Sequence, residues 1–206
     1  MCIEYFFYIC GIINERQLTV MAKLWVSFSF FIFTAFSVYS QQIAIKSNLV
    51  YDATGTLNIG GEYAINKTFS VNLSANYNGW VLKKPYAWKH YLVQPEFRYW
   101  LRESFNEHYV GAHLIYADFD IERMSLPFFG MTRMYAYKGT AYGGGVSYGY
   151  HLYLTPRLNL EFSLGVGFLK LTYDKYIRSG EKEGNQWTRN YIGPTQIGVS
   201  LVYIIN

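Results

Sequence analysis

Apolar side chains alternate with polar or small side chains over most of the chain beyond residue 41. Between residues 158 and 168, every even position is Leu, Phe or Val and every odd position is Asn, Glu, Ser or Gly. A period of two places the two sets of side chains on opposite faces of a β-strand. The same period recurs in segments 43–51, 57–65, 70–77, 91–101, 110–116, 142–154, 158–168 and 196–205. The alternation therefore predicts an all-β protein with eight strands.

The connections between these segments alternate in length. Apart from the first link, 52–56, the pattern is regular: links 66–68, 102–107 and 155–157 are short, whereas links 79–89, 122–139 and 174–190 are long. Bacterial outer-membrane barrels have an even number of strands, short periplasmic turns and longer external loops. We therefore expect an eight-stranded antiparallel up-and-down transmembrane β-barrel with both termini in the periplasm.

An export signal precedes the alternating region. Residues 21–40 contain Lys23, a short apolar run, and small residues at Ser37 and Ser40. Since this segment is too short and wrongly flanked for a stable spanning helix, we interpret it as a secretory signal peptide. Residues 1–20 lie upstream of a complete signal. We interpret them as an over-called start, in which the start codon is assigned too early and Met21 begins the real protein. Residues 41–206 then form the outer-membrane barrel.

Cysteine and charge content exclude several classes of site. Both cysteines, Cys2 and Cys10, precede the predicted cleavage point, so disulfides, zinc-thiolate sites and a cysteine nucleophile are excluded from the mature chain. The chain has 18 Lys and Arg against 14 Asp and Glu. This excess is too small to predict a nucleic acid partner.

The composition of the two faces decides what surrounds the barrel. The polar face is rich in Gly, Ser and Asn, and the other face carries Leu, Val, Phe and Tyr. A soluble barrel of the periplasm would turn the polar face outward and enclose the apolar one. The small residues and pairing charges of the polar face, however, are what the narrow lumen of an eight-stranded barrel can hold. The apolar face is then outside, where it would aggregate in water. We therefore expect lipid outside and a polar network in the lumen, formed by Lys46, Glu62, Glu96, Arg98, His113, His151 and Glu161.

Strand ends carry two further signals. Aromatic residues there are expected to form interfacial girdles, and they include Tyr51, Tyr63, Tyr77, Trp80, Tyr91, Tyr173, Tyr191 and Tyr203. The last segment keeps alternate apolar residues to Ile205, and it resembles the terminal strand that barrel-assembly machinery recognises. It ends, however, in Asn206 rather than in an aromatic residue.

Two prolines interrupt predicted strands. Pro95 lies in the middle of one strand and Pro194 lies near the start of another. Because proline lacks the backbone donor that a sheet ladder needs, we predict a β-bulge at each position.

Four runs carry a resemblance to a known family. They are KSNLVYDATGTLNIGGEY (46–63), VQPEFRYW (93–100), YGGGVSYGY (142–150) and YIGPTQIGVSLVY (191–203). Together they resemble a Bacteroidota family of small outer-membrane β-barrel proteins of unknown function. The resemblance implies the fold and the compartment, and it brings no catalytic residues. Some members are thought to lie near fimbrial or surface-assembly genes, which implies a surface or fimbrial protein as a partner.

Lumen residues suggest an enzyme only weakly. Ser147 and His151 share a face, as do Glu161 and Ser163, so a Ser-His-acid set of a lipid-modifying enzyme can be drawn. These residues are expected to point away from lipid, whereas such chemistry must reach a lipid. Residues 145–149 (GVSYG) fit the GxSxG pattern, but they lie within a predicted strand rather than at the strand-to-helix turn of a nucleophile elbow. The glycines of 142–150 lack the lysine of a phosphate loop, and the histidines lack metal-ligand spacing. We expect a non-enzymatic protein without a metal or cofactor.

Two interpretations of the charged lumen remain open. Glu96 and Arg98 face the same way and could form the gate of a narrow pore. Alternatively, they pair with Glu62, Glu161 and Lys46 in a network that fixes strand register, which we favour because buried charges require partners.

The long links contain cations and one apolar cluster. Lipopolysaccharide phosphates or a protein partner could contact this set, which comprises Lys83, Lys84, Lys89, Arg123, Phe128, Phe129, Arg133 and Lys138. The sequence thus predicts a structural or surface-interaction role in the outer membrane. A narrow pore and a lipid-modifying outer-membrane enzyme are the alternatives.

Overall fold

The chain forms a closed barrel of eight antiparallel strands, each hydrogen-bonded to the strands before and after it. The computed structural model describes residues 43–80, 87–122, 135–177 and 182–205. Its elements are β1 (Ile43–Asn48), α1 (Leu49–Ala53), β2 (Leu57–Ala64), β3 (Phe69–Asn78), β4 (Ala87–Trp100), β5 (Glu107–Glu122), β6 (Ala136–Thr155), β7 (Leu158–Tyr176) and β8 (Trp187–Ile205). The predicted all-β, up-and-down architecture is confirmed. The predicted over-called start (1–20) and the predicted signal peptide (21–40) lie outside the described residues.

The two ends of the barrel differ in their connections. Ile43 pairs with Ile205, so both ends of the described chain lie at one end, which we name the turn end. Residues 65–68, 101–106 and 156–157 connect strands there. The opposite end, the loop end, holds α1 and the three longer connections. This arrangement agrees with the predicted alternation of short and long links.

The wall of the barrel has unequal height. β1 has 6 residues and β2 has 8, whereas β6 has 20 and both β7 and β8 have 19. The wall is therefore low at β1 and β2 and rises towards β6–β8 at the loop end.

The first strand is shorter than the sequence predicts. Residues 49–51 were expected to extend it, but they form the first turn of α1. The side chain of Asn48 accepts a hydrogen bond from the Val50 amide at 3.0 Å, as an N-cap does. This side-chain bond ends β1 before its apolar alternation ends.

The outer surface is apolar from the turn end to beyond the middle of the barrel. Leu114, Val146 and Leu164 point outward and are 61–65% exposed. On β6 the outward apolar positions run from Tyr142 to Leu154. At about 3.3 Å per residue and a tilt of about 40°, that run covers roughly 30 Å along the barrel axis. We name this surface the apolar belt.

Sidedness inverts beyond the apolar belt. Further towards the loop end, the outward positions of β5 become Asp118, Asp120 and Glu122, while the inward positions become apolar, as at Phe119 and Ile121. The same exchange occurs on β6 and β7, and on β8 it reaches Tyr191, beyond which the next inward position is the exposed Arg189. β5–β8 therefore continue past the belt as an extension with an apolar interior and a polar exterior, which explains why these strands exceed their predicted lengths.

The prolines behave differently from each other. A register shift places Gly165 opposite Gln196 and Val166 opposite Pro194, so Thr195 is the extra residue of a bulge, as predicted. At Pro95, β4 keeps its register with β5, and the ladder only lacks pairs between Val93 and Glu96. The predicted bulge at Pro95 is therefore wrong, because an interrupted ladder already accommodates the missing donor.

The predicted girdle is partly wrong. Tyr77, Tyr91 and Tyr203 point outward near the ends of the apolar belt. Tyr173 and Tyr191, however, are 6% and 8% exposed and point inward. Both lie in the extension, where the inward face is the apolar one. No helix in the described residues is long and apolar enough to cross a membrane.

Candidate functional site

Arg98 lies at the centre of a cluster of buried charges inside the barrel. Its guanidinium approaches Glu62 at 2.7 Å, Glu96 at 2.6 Å and Glu161 at 3.0 Å. The carbon of the guanidinium lies 4.1 Å from the centroid of the Tyr109 ring. One cation from β4 therefore contacts carboxylates from β2, β4 and β7.

Lys46 adds a second cation from β1. Its Nζ lies 2.7 Å from Glu62 Oε2 and 2.9 Å from Glu161 Oε2. Gly60, its ladder partner on β2, leaves room for the lysine stem, because a Cβ there would lie 2.6 Å from Lys46 Cγ. The pattern of a glycine opposite a long charged side chain thus follows from the available volume. We name the five charged residues, together with His151, the lumen network.

Neutral side chains also donate hydrogen bonds to the oxygens of these carboxylates. Ser70 donates to Glu62 at 2.5 Å, Tyr109 donates to Glu161 at 2.9 Å, and Ser147 donates to Glu96. In a second layer, Trp100 Nε1 donates to Ser70 Oγ at 2.8 Å. Such saturation is what a buried ionic cluster requires, because each charge has lost its hydration.

The lumen network contains more carboxylates than cations. Three carboxylates face the two permanent cations Lys46 and Arg98, which leaves one negative charge. His151 Nε2 lies 2.9 Å from Glu161 Oε2.

An apolar layer closes the network off at the turn end. Trp100, Phe105 and Val202 belong to this cluster and are at most 3% exposed. Phe105 comes from the β4–β5 turn and adopts a left-handed backbone (φ 66°). Asn159 Nδ2 donates to its carbonyl oxygen at 2.8 Å, which holds the turn inside the barrel mouth. We name this cluster the lower layer, and its members are Ala44, Ala64, Trp100, Phe105, Tyr109, Val202 and Ile204.

A second apolar cluster occupies the interior at the loop end. Trp88 and Leu92 of β4 pack against it, above Gln94 on the same inward face. Its buried members come from β5–β8, and we name them the upper layer: Ile115, Phe119, Ile121, Tyr137, Ala141, Leu169, Leu171, Tyr173 and Tyr191. The interior thus runs from apolar to charged to apolar along the barrel axis.

The structure brings six of the seven predicted lumen residues together. Lys46, Glu62, Glu96, Arg98, His151 and Glu161 form the lumen network. His113 is also buried and inward, but its Nε2 bonds to Thr195 Oγ1 at 2.9 Å. It therefore holds the β8 bulge rather than the network.

Three contributors were missed from the sequence. Ser70 and Trp100 occupy inward positions of β3 and β4 and were not singled out among the polar positions. Tyr109 lies just before residue 110, where the predicted strand began. Tyr109 occupies one of the alternate positions of β5 that point inward. The alternation would therefore have identified Tyr109 if the predicted strand had begun at Glu107.

The Ser-His-acid set does not assemble as drawn from the sequence. Ser147 donates to Glu96, whereas His151 pairs with Glu161. Both hydroxyl and imidazole are at most 6% exposed, between the two apolar layers. In the described residues, no group of three or more His, Cys, Asp or Glu is placed to hold a metal ion.

A small polar cavity lies between the lumen network and α1. Its volume is about 40 Å³, and Lys46, Asn72, Gln94 and Gln196 are among its lining residues. Gln94 Nε2 donates to Gln196 Oε1 across the interior at 2.8 Å. Tyr51 of α1 also lines the cavity, and burial raises the pKa of its phenol above the usual value. The phenol therefore stays protonated and available as a donor.

Only two of the predicted surface contacts fall within the described residues. Lys138 points outward at the loop end and pairs with Asp120 at 3.1 Å. Lys89 lies on β4 near the same end. The others lie outside the described residues: Lys83, Lys84, Arg123, Phe128, Phe129 and Arg133. The described rim also pairs Lys182 with Asp174 at 2.9 Å, so its charge is mixed rather than basic.

Comparison with known proteins gives one structural likeness. A major outer membrane protein from Thermus thermophilus is similar over 81% of this chain and 100% of its own, with 12% sequence identity and a TM-score of 0.43. No curated protein shows a significant match to the chain. A family model does match, and it covers residues 26–205. Since this range is most of the chain, the protein belongs to the family described as "Protein of unknown function (DUF3575)".

Proposed function

We propose that the protein is a non-enzymatic outer-membrane β-barrel with a structural or surface-interaction role. The observation that carries the proposal is the apolar belt around a closed barrel whose interior holds the charges. Large apolar side chains such as Leu57, Val146 and Ile192 are 60–83% exposed on its surface. Water would make such a surface aggregate, whereas hydrocarbon would solvate it.

The inversion of sidedness supports a defined depth in the membrane. The outward face changes from Tyr116 to Asp118 on β5 and from Phe168 to Lys170 on β7. Outward charges are costly in hydrocarbon and favourable in water, so the bilayer would end at this line. The apolar belt is also about as tall as the hydrocarbon core of a bilayer, roughly 30 Å.

The arrangement of the interior favours a structural role over conduction. The lower and upper layers lie on either side of the lumen network, and both consist of buried apolar side chains. A water-filled pore would instead require a polar path from one end to the other. The pairing of Ser147 with Glu96 likewise favours a structural role over lipid-modifying chemistry, because a nucleophile needs its base within hydrogen-bond reach.

On this proposal the loop end faces the outside, and its connections are the contact surface. The partner is lipopolysaccharide or a surface protein such as a fimbrial component. The signal peptide would direct export, and the terminal strand β8 would be recognised by barrel-assembly machinery. The resemblance to envelope proteins of the Bacteroidota is consistent with a host that has an outer membrane.

Fractionation and electrophoresis test this proposal together. The full chain, expressed in a bacterium with two membranes, is expected to co-sediment with outer membrane and to migrate as a compact band unless boiled. Purified protein is expected to leave planar bilayers without discrete conductance. Recovery in the soluble periplasm would contradict the membrane assignment. Steady single-channel currents would favour the pore instead, and a changed lipid A mass lost on Ser147→Ala would favour the enzyme.

A further inference from the structure

The loop-end part of β8 has a strand on one side only. β8 pairs with β7 as far as Trp187. Its ladder with β1 stops at Ser200, because β1 ends at Asn48. Among the described residues, no other strand pairs with β8 between Trp187 and Val199 on that side. This stretch is therefore an edge of the sheet, although the barrel is closed nearer the turn end.

Backbone groups of alternate residues face the open side of β8. Asn48 Nδ2 donates to the Ile197 carbonyl and Asn48 Oδ1 accepts from the Val199 amide, both at 3.3 Å, so odd-numbered residues face β1 there. Thr195 is the extra residue of the β8 bulge, and it reverses this alternation. Beyond the bulge, the groups that face the open side belong to Thr188, Asn190, Ile192 and Pro194.

Pro194 marks one end of the free backbone. It has no amide hydrogen, and its carbonyl oxygen accepts a hydrogen bond from the Tyr191 hydroxyl at 3.1 Å. The N–H and C=O groups of Thr188, Asn190 and Ile192 form no hydrogen bond with the described residues. All three side chains are exposed, and Ile192 is 83% exposed. An unpaired edge of this kind is a template for a further strand.

This edge lies beyond the apolar belt. Ile192 pairs with Phe168, the outward residue at the end of the belt on β7. Asn190 pairs with Lys170, the first outward charge of the extension on the same strand. On the proposed function, which places the loop end outside, the edge from Ile192 towards Thr188 extends from the bilayer boundary into water. A soluble segment can therefore reach it.

The edge carries a cation on each face. Arg189 is exposed at an inward position opposite the buried Leu171, and Lys170 lies outward on the neighbouring strand. The described ion pairs of the rim use other residues, so neither cation has a carboxylate partner within the described part of the chain. A strand beside β8 would therefore meet positive charge on both faces. Opposite charges on neighbouring strands stabilise their pairing.

A second copy of this chain does not fit the edge. Two barrels with the same orientation in one membrane would be related by an axis along the membrane normal. With strands tilted by about 40° from that axis, two copies of β8 would cross at about 80° instead of running side by side. The edge therefore requires a segment that is free to align with β8.

We propose that the loop-end edge of β8 binds an extended acidic segment of a partner protein outside the cell, by addition of a strand. The proposal deepens the proposed function and rests on it, because such a partner reaches the edge only if the loop end faces outward. Backbone hydrogen bonds to Thr188, Asn190 and Ile192 supply affinity, and alternate side chains supply specificity. On the inward face, a carboxylate opposite Arg189 and an apolar side chain towards the upper layer match the edge.

Blocking the backbone donors of a peptide tests strand addition. The full-length barrel in detergent is titrated with a fluorescent peptide of about eight residues, in which valine and threonine alternate around a central glutamate. Fluorescence anisotropy should show saturable binding. N-methylation of one set of alternate residues should abolish this binding and N-methylation of the other set should preserve it, because only one set of amides faces β8. Absence of binding, or equal binding of the two methylated peptides, would overturn the proposal.

Substitutions on β8 test whether the peptide binds at this edge. Asn190→Pro removes a free donor without removing a bond to β7, and it should weaken binding about tenfold. Asn190→Ala keeps the amide and should bind the peptide as wild type does. Arg189→Glu should weaken binding of the glutamate peptide about tenfold and favour a peptide with lysine in its place. Binding that ignores Asn190→Pro but depends on Arg189 would identify an anion site only, and would overturn strand addition.

Failure of this proposal is distinguishable from failure of the proposed function. Recovery of the protein in the soluble periplasm would contradict the proposed function before any titration. A heat-modifiable, membrane-inserted protein that does not bind the peptide would contradict strand addition alone. If Asn190→Pro lacks the compact unboiled band, Thr188→Pro provides the same test nearer the loop end.

Discussion

At the scale of single residues, the interior is organised by charge saturation. Arg98 contacts three carboxylates and one aromatic face, and Ser70, Tyr109 and Ser147 complete the acceptors. Buried ion pairs add little stability compared with apolar packing, but the loss of one partner is costly. The lumen network therefore acts mainly on specificity: it links β1, β2, β4 and β7 in a single register.

Arg98→Met should destabilise the barrel by about 3–5 kcal/mol, because three carboxylates would lose a shared cation in a water-poor interior. Urea unfolding in detergent, followed by tryptophan fluorescence, measures the change. Arg102→Met is the control, because Arg102 pairs with Glu107 at the turn end with its side chain 69% exposed. Loss of that pair should cost less than about 1 kcal/mol. Similar costs for the two variants would show that the interior is hydrated enough to screen its charges.

Two glycines make a second matched pair. A Cβ on Gly149 would overlap the ring of Tyr109, which contacts both Arg98 and Glu161. Gly149→Ala should therefore destabilise the barrel by about 1–3 kcal/mol through overpacking. A Cβ on Gly61, by contrast, would meet no atom within 4 Å. Gly61→Ala should therefore leave the stability of the barrel unchanged or slightly raised. The same urea titration measures both variants. An unchanged unfolding midpoint for Gly149→Ala would mean that the Tyr109 ring can move without loss of stability.

At the scale of elements, period-two alternation was enough to find every strand, and the composition of the two faces was enough to choose the polar interior. It did not find the true lengths of β5–β8. Across the belt boundary, the alternation continues while the apolar set changes faces, from Phe168 outward to Leu169 and Leu171 inward. A pattern search that keeps one face apolar stops at such a point. The end of β1 was missed for another reason, since a side-chain cap by Asn48 is a local event that alternation does not report.

Arginine substitutions along β7 should map this boundary. Leu164→Arg places a charge outward within the apolar belt and should cost about 2–4 kcal/mol. Thr172→Arg places the same charge outward in the extension and should change stability by less than about 0.5 kcal/mol. Folding into phosphatidylcholine vesicles at graded urea concentrations measures both.

Leu171→Arg completes this series as a test of the upper layer. Leu171 is 2% exposed and points inward, so the charge would be buried without a partner, and folding should fail. If Thr172→Arg were as damaging as Leu164→Arg, the bilayer would extend over the extension. If Leu171→Arg were tolerated, the upper layer would be open to water.

At the scale of the whole molecule, the unequal wall height and the two ends give the barrel a direction. The sequence predicted most of the lumen network, because its members are charged or ionisable residues at the alternate positions that point inward. It could not predict that His113 would bond to Thr195 instead, or that Tyr109 and Trp100 would complete the cluster, because those contacts depend on how the strands stagger around the closed barrel. Stagger is a property of the closed barrel rather than of any one strand.

The direction of the barrel in the membrane can be determined from two single cysteines. Asn185→Cys lies exposed at the loop end, and Lys67→Cys lies exposed in the β2–β3 turn at the turn end. Cysteine occurs naturally only at residues 2 and 10, so the wild-type chain serves as the blank. Short turns belong to the periplasmic side of outer-membrane barrels. A membrane-impermeant maleimide added to intact cells should therefore label Asn185→Cys and leave Lys67→Cys unlabelled. Both should react once the outer membrane is permeabilised. Labelling of Lys67→Cys alone on intact cells would show the opposite orientation of the barrel. The extension with its mixed-charge rim would then face the periplasm.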